Sequence, residues 1–317
     1  MKKNVLSLLC ILYSINVFSQ SINIGLLNGP SCIPCAQLNE NLHKIGETEV
    51  EYEMFATPQE LLPKMIKKEI DIGFMPVNVA AKVYDSTNHK IICCGITGEG
   101  NLALITKNKN IKSLKDLKGK TVFVAGLGAT PEYITKYILE KEGIVLNDEK
   151  GIFLDFSLPT NQIVPELLAG KIDYAIVPEP FITIASEKSK NKINIIDLQK
   201  DYFLKYFPQN YPLTVMVVRS DFAEENPDLL KTFLEQYKSA LSWTLDNPSE
   251  AGQLCEKYNF GLKKNVVEKS IPKSNYVFIP AVKGKLIIES LLQLFIEEDN
   301  SFLNGKLPED DFYYKNE

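Results

Sequence analysis

The sequence predicts an α/β protein of two lobes, each a mostly parallel sheet flanked by helices. Two observations carry this expectation. The stretch "LLPKMIKKEIDIGFMPVNVAA" (61–81) lies over "IVPELLAGKIDYAIVPEPFIT" (163–183) at a constant offset of 102 without a gap, matching Pro63 to Pro165, Ile70 to Ile172, Asp71 to Asp173 and Pro76 to Pro178. Each copy is preceded by the same succession of strand, glycine- or proline-bearing loop and helix, so strands alternate with helices twice over.

The elements follow in order. "MKKNVLSLLCILYSINVFS" (1–19) has two lysines, an apolar run too short to span a bilayer and a small residue at Ser19, and reads as a signal peptide cut after Ser19. In the first unit "INIGLL" is a strand, "NGPSCIPC" a loop into a helix, "VEYEMF" a second strand and "IDIGFMP" a third, which Pro76 ends before another helix. "IICCGI" runs toward a first crossover at 102–107. The second unit repeats the pattern in "TVFVAGLGATPEYITKYIL", "IFLDFSLPTNQ" and "IDYAIVP". "YPLTVMVVRSDF" is a strand returning to the first lobe, with the second crossover at 212–218. A helix over Asn226–Asp246 puts Leu229, Phe233, Tyr237, Ala240, Leu241 and Trp243 on its apolar side, Asn247 and Pro248 open another, and a last helix follows Pro280. These helices are expected on the first lobe, giving 20–104 with 216–317 as lobe one and 105–215 as lobe two.

Charge narrows the function. Without Lys2 and Lys3 the exported chain of about 298 residues holds 33 basic against 40 acidic residues, a formal charge of −7, with no basic block, which argues against nucleic acid or an anionic membrane as partner. Arg219 is the only arginine, so a bidentate guanidinium clamp for sulfonate or phosphate is almost unavailable. No G-x-x-x-x-G-K-[ST] phosphate loop occurs, and "GLGATPE" fails the dinucleotide fingerprint because Pro131 stands three after Gly128. No cofactor is expected.

The segments "GPSCIPCAQL", "IDIGFMPVNVAAKVY", "SLKDLKGKTVFVAGLGATPEYITKYILEKEGI", "LLAGKIDYAIVPEPF" and "VVRSDFAEENPDLLKTFLEQYKSAL" together resemble the substrate-binding proteins of ABC importers, in the nitrate, sulfonate, taurine and thiamine-precursor branch of the type II periplasmic binding fold. That resemblance implies hinged lobes closing on a small nutrient. It also implies a membrane permease and an ATPase on other chains, a periplasmic location, free or lipoprotein-anchored, and no catalysis. A monomer is expected. The enzyme alternative on the same fold is a thiamine-pyrimidine-synthase-like or dithiol redox protein; a receptor-docking ligand sensor is a further one.

Ligands of open α/β sheets sit at the carboxyl ends of strands. That rule selects Asn28, Gly29, Ser31 and Cys32 after the first strand, Pro76 and Asn78 after the third, and Gly128, Ala129, Thr130 and Glu179 in the second lobe; Thr97 lies near the first crossover. Gly29 and Gly128 admit close backbone approach, and free N–H groups there favour a polar or anionic ligand atom. Ser31, Asn78 and Thr130 are each either helix caps or ligand partners. Glu179, between Pro178 and Pro180, is either a partner for an amine, ring nitrogen or hydroxyl, or an acid of a first helical turn. With so little arginine it favours a neutral or cationic, heteroaromatic nutrient.

The exported chain holds Cys32, Cys35, Cys93, Cys94 and Cys255. Adjacent cysteines chelate awkwardly and His43 and His89 show no matching spacing, so no metal is expected. Where the family loop usually carries small or apolar residues, the cysteines leave three options: a Cys32–Cys35 disulfide, a pairing with the Cys93 strand, or thiols touching the ligand. Cys255 reads as a buried small hydrophobe.

Overall fold

The computed structural model describes residues 21–315, so the expected leader lies outside the described residues. Among the described residues twelve strands form two sheets: β1 (Ser21–Leu27), β2 (Lys44–Ile45), β3 (Thr48–Phe55), β4 (Ile72–Pro76), β5 (Ile91–Glu99), β6 (Ala103–Thr106), β7 (Lys120–Val124), β8 (Ile152–Asp155), β9 (Tyr174–Val177), β10 (Asn194–Asp197), β11 (Pro212–Arg219) and β12 (Tyr276–Pro280). One sheet runs β12-β5-β11-β4-β1-β3-β2 and the other β10-β6-β9-β7-β8.

The internal repeat is visible in this order. The block β5-β11-β4-β1-β3 corresponds strand for strand to β10-β6-β9-β7-β8, and the matched helices Pro58–Ile66 and Thr160–Ala169 keep the offset. The parallel part of each sheet is smaller than expected: β1 pairs in parallel with β3 and β4, and β7 with β8 and β9, while the strands that cross from the other lobe pair antiparallel. A crossing strand enters from the far side of the cleft, so its direction is reversed relative to the βαβ units it joins.

Helices cover both faces, which is why β1 and β4 are apolar almost without alternation. The helix Pro58–Ile66 comes close because Gly25 and Gly73 are register partners; a Cβ on Gly25 would stand 2.2 Å from Leu61 Cδ1. The long helix Pro227–Asp246 buries Phe233, Tyr237, Ala240 and Leu241 against the first sheet's core, as the apolar spacing predicts, and adds Leu230 and Leu234.

The chain leaves the first sheet after β5, enters the second at β6 and returns through β11. The two crossings touch: Gly100 N donates to Tyr211 O at 2.9 Å, and Asn210 and Asn275 both donate side-chain N–H to Gly100 O, at 3.1 and 2.7 Å. A side chain at position 100 would strike the Tyr211 ring at 2.0 Å, so glycine is required where the crossings meet.

Candidate functional site

The strand-end loops of the two lobes face each other across a closed cleft. A cavity of ≈ 30 Å³ lies there, lined by Ser31, Gly98, Asn101, Glu179, Thr214 and Tyr276, among others. A second cavity of ≈ 370 Å³ toward the crossings shares Asn101 and Glu179 and adds Asp197, Gln199 and Lys273.

Asn78 spans the lobes. It is the second residue of the helix Val77–Ser86, and its Nδ2 donates to Gly128 O at 3.2 Å. Elsewhere the lobes are joined by Tyr133 stacked on Phe295 at 4.2 Å, and by Lys136 between Glu132 (2.9 Å) and Glu298 (3.1 Å).

None of the three residues that are either caps or ligand partners by sequence acts as a cap. Ser31 sits inside the short turn Pro30–Cys32, Asn78 inside its helix, and Thr130 is the first residue of the helix Thr130–Lys141; none makes a side-chain cap bond. Asn78 Oδ1 and Thr130 Oγ1 are buried without a hydrogen-bond partner in the protein. A buried polar atom left so costs about 1–3 kcal/mol, which a bound ligand would offset.

The backbone donors differ from expectation. Asn28 N donates to Phe55 O at 2.8 Å and Gly29 N to Phe260 O at 2.9 Å, while Gly128 N donates to Glu132 Oε2 at 2.7 Å. The glycines keep their positive φ, 118° at Gly29 and 71° at Gly128, but their N–H groups are spent inside the protein, and a carboxylate occupies the place offered to an anion. Arg219 cannot help, since it is buried against Asp71.

Glu179 is 3 % exposed at the end of β9. Its carboxylate accepts from Thr183 N (3.0 Å) and Thr183 Oγ1 (3.1 Å), so it does serve the first turn of the helix Phe181–Lys188. The same residue lines both cavities. Burial raises its pKa above the usual carboxylate range, against the opposing Thr183 bonds and the Lys273 charge. The first-turn role is therefore filled, by a carboxylate that also borders both cavities.

Cys32 and Thr97 lie beneath the cleft and do not line it: both are fully buried, Cys32 accepting from Leu27 N at 3.3 Å and Thr97 Oγ1 donating to Thr214 Oγ1 at 3.2 Å. Cys32 and Cys35 are free thiols, not a disulfide, and Cys93, Cys94 and Cys255 are free and buried as well. Burial drives the Cys35 thiol well up, reinforced by its hydrogen bond to Cys32, and pushes Cys93 and Cys255 up to about 12. Thiols so held are unreactive. In the folded protein a disulfide-forming thiol reagent is expected to titrate less than half an equivalent within minutes, and every cysteine after denaturation; rapid native labelling at Cys32 would show a loop that opens.

Pro76 and Ala129 stand at the ends of their loops, half-buried, beside Asn78 and Gly128. Sequence reasoning missed Asn101, Ser274 and Tyr276. Tyr276 hydroxyl donates to Pro30 O at 2.8 Å and pins the first ligand loop, while Asn101 accepts from Glu179 N (3.1 Å) and donates to Ser274 O (3.1 Å).

Residues 94–251 match the family described as NMT1/THI5 like. A Bacillus subtilis (strain 168) protein named as a candidate aliphatic sulfonates-binding protein is 27% identical over 177 residues, 55% of this chain and 49% of its own. The chain spans about half the length of the curated relatives it matches. An ABC transporter structure from Parabacteroides distasonis has TM-score 0.80 at 24% identity, covering 94% of this chain and 100% of that one. The periplasmic aliphatic sulphonate binding protein of Escherichia coli has TM-score 0.74 at 14% identity over 94% and 93% of the two chains. These share the two-lobed fold.

Proposed function

Taking as premise that residues 94–251 place this chain in the NMT1/THI5-like family, we propose that it is an extracytoplasmic solute-binding protein. It captures a small neutral or cationic, polar or heteroaromatic nutrient and delivers it to the permease of an ABC importer. The observation that carries the reading is the interlobe contact of Asn78 with Gly128 beside two buried, unpartnered side-chain oxygens, Asn78 Oδ1 and Thr130 Oγ1. That arrangement suits a polar guest held by closure, and closure shifts only as far as the guest prefers the closed state.

The ligand class follows from charge. The loop donors are already occupied, Glu132 sits against Gly128, Glu179 lines the cavity, and the lone arginine is committed to Asp71. An organic sulfonate, the ligand in the name of the Bacillus relative, would meet Glu179 in both cavities, with Asp197 beside Lys200 and Lys273 in the larger one, and no guanidinium. The five described thiols are buried, Cys35, Cys93, Cys94 and Cys255 with raised pKa values, and among the described residues no histidine lines either cavity, which supports binding over catalysis. Among the described residues, no helix is long and apolar enough to cross a membrane.

Native mass spectrometry of the protein from an oxidising compartment, before and after denaturation, tests capture: a small mass with an amine or ring-nitrogen composition should leave on unfolding. Calorimetry with methanesulfonate and nitrate should show no binding up to millimolar concentration. Submicromolar sulfonate binding would overturn the ligand class, and steady turnover of a dithiol substrate would overturn the binding reading.

A further inference from the structure

At the far end of the helix Val77–Ser86 from Asn78, the C-terminal segment crosses lobe one and brings three unlike donors together. His89, Glu309 and Asp311 each offer one atom, all within 4.8 Å of one another. His89 Nδ1 is 2.8 Å from Asp311 Oδ2 and 3.1 Å from the Tyr84 hydroxyl, which itself donates to Asp311. The imidazole is oriented by stacking on the Tyr84 ring, centroids 4.0 Å apart. A cavity of ≈ 180 Å³ opens on the cluster, lined by Tyr84, Asp85, His89 and Glu309 together with Lys306.

We propose that His89, Glu309 and Asp311 bind one divalent transition-metal ion, zinc being the best fit, which staples the C-terminal segment to the helix Val77–Ser86. One imidazole and two carboxylates form a set of three nitrogen and oxygen ligands that suits zinc, with the fourth, tetrahedral position left to water in the cavity. Bonds of about 2.0–2.2 Å put tetrahedral ligand atoms roughly 3.4 Å apart, so the His89–Asp311 hydrogen bond opens by about half an ångström and the other donors close in. Tyr84 keeps its bond to Asp311 and orients that carboxylate, as hydrogen-bonded partners of metal ligands do. Two carboxylates around a neutral imidazole supply the charge that a dication needs, and Asp85 balances Lys306. The competing reading is a purely hydrogen-bonded tie between His89, Tyr84 and Asp311, in which the Glu309 side chain plays no part.

Glu309 separates the two. Untagged protein stripped with a chelator is titrated with zinc chloride by calorimetry and native mass spectrometry, alongside Glu309→Gln. One zinc per chain is expected with Kd below roughly 10 µM, weakened at least tenfold by Glu309→Gln, and zinc should raise the melting temperature of the parent only. Absence of stoichiometric zinc binding overturns the site. So does equal affinity in Glu309→Gln, which would place the ion elsewhere, on the cysteines for example. Glu309→Gln removes no hydrogen bond of the tie, so a folded variant is expected, and an unchanged circular dichroism spectrum verifies it. The inference stands apart from solute capture, since neither cavity of the cleft is involved.

Discussion

Glu179→Gln combined with Asn78→Ala should weaken capture of the co-purifying ligand by at least tenfold, about 1.4 kcal/mol, and by up to about 10³-fold if the ligand is a cation. A hydrogen bond to an ionised carboxylate contributes about 1.5–3 kcal/mol, and a neutral one at Asn78 about 1 more. The choice of glutamine matters, because Glu179 also accepts from Thr183 N and Oγ1, and alanine there would confound binding with the loss of a helix cap. Asn78→Ala removes one bond to Gly128 O but also an unpartnered buried oxygen, so the melting temperature of the ligand-free protein should move little. Binding within twofold of the parent would sink the site assignment. A pH dependence follows for a cationic ligand. Glu179 is ionised only above its raised pKa, so affinity should fall as pH drops through that value, at less acid pH than for an ordinary glutamate. Affinity flat down to the ordinary glutamate range would remove the carboxylate from the recognition.

The architecture was legible because the repeat imposes the same period twice. An offset of 102 with matched prolines predicts two equivalent βαβ runs, and the two sheets carry the same five-strand order. What sequence could not resolve were events decided by one residue or by distant partners. Whether Thr130 caps its helix or begins it is a displacement of a single position, and only the latter leaves its hydroxyl unpartnered. Whether the Gly128 N–H is free depends on which way Glu132 turns, and the motif alone reads as an anion site. Tyr276 lies 246 residues from the Pro30 carbonyl it holds, and "NYVFIP" reads as an ordinary strand. The state of Cys32 and Cys35 was equally out of reach: the loop folds both free thiols into the core, Cys32 against Leu27 N, where they pack as apolar groups.

The matched pair Asp71 and Asp173 shows how far a repeat constrains chemistry. Asp173 is exposed, whereas Asp71 is 4 % exposed, meets Arg219 Nη2 at 3.1 Å and accepts from Asn23 N at 2.7 Å. Asp71→Ala should therefore cost about 3–5 kcal/mol, because a guanidinium is left buried with Asp221 Oδ1, at 3.6 Å, as its remaining ionic partner. A fall of about 10 °C in the melting temperature is the corresponding readout. Asp173→Ala, identical by sequence position in the repeat, should stay within about 0.5 kcal/mol. Burial outweighs the Arg219 attraction and raises the Asp71 pKa, so the pair itself contributes little net stability even though losing one member is costly. Replacing both, Asp71→Leu with Arg219→Met, should accordingly recover most of the loss in urea melts. A cost below about 1 kcal/mol for Asp71→Ala would mean that Arg219 reaches water or Asp221 unaided. A double variant no better than the single would mean that Asn23 N, and not the guanidinium, is what Asp71 is there to satisfy.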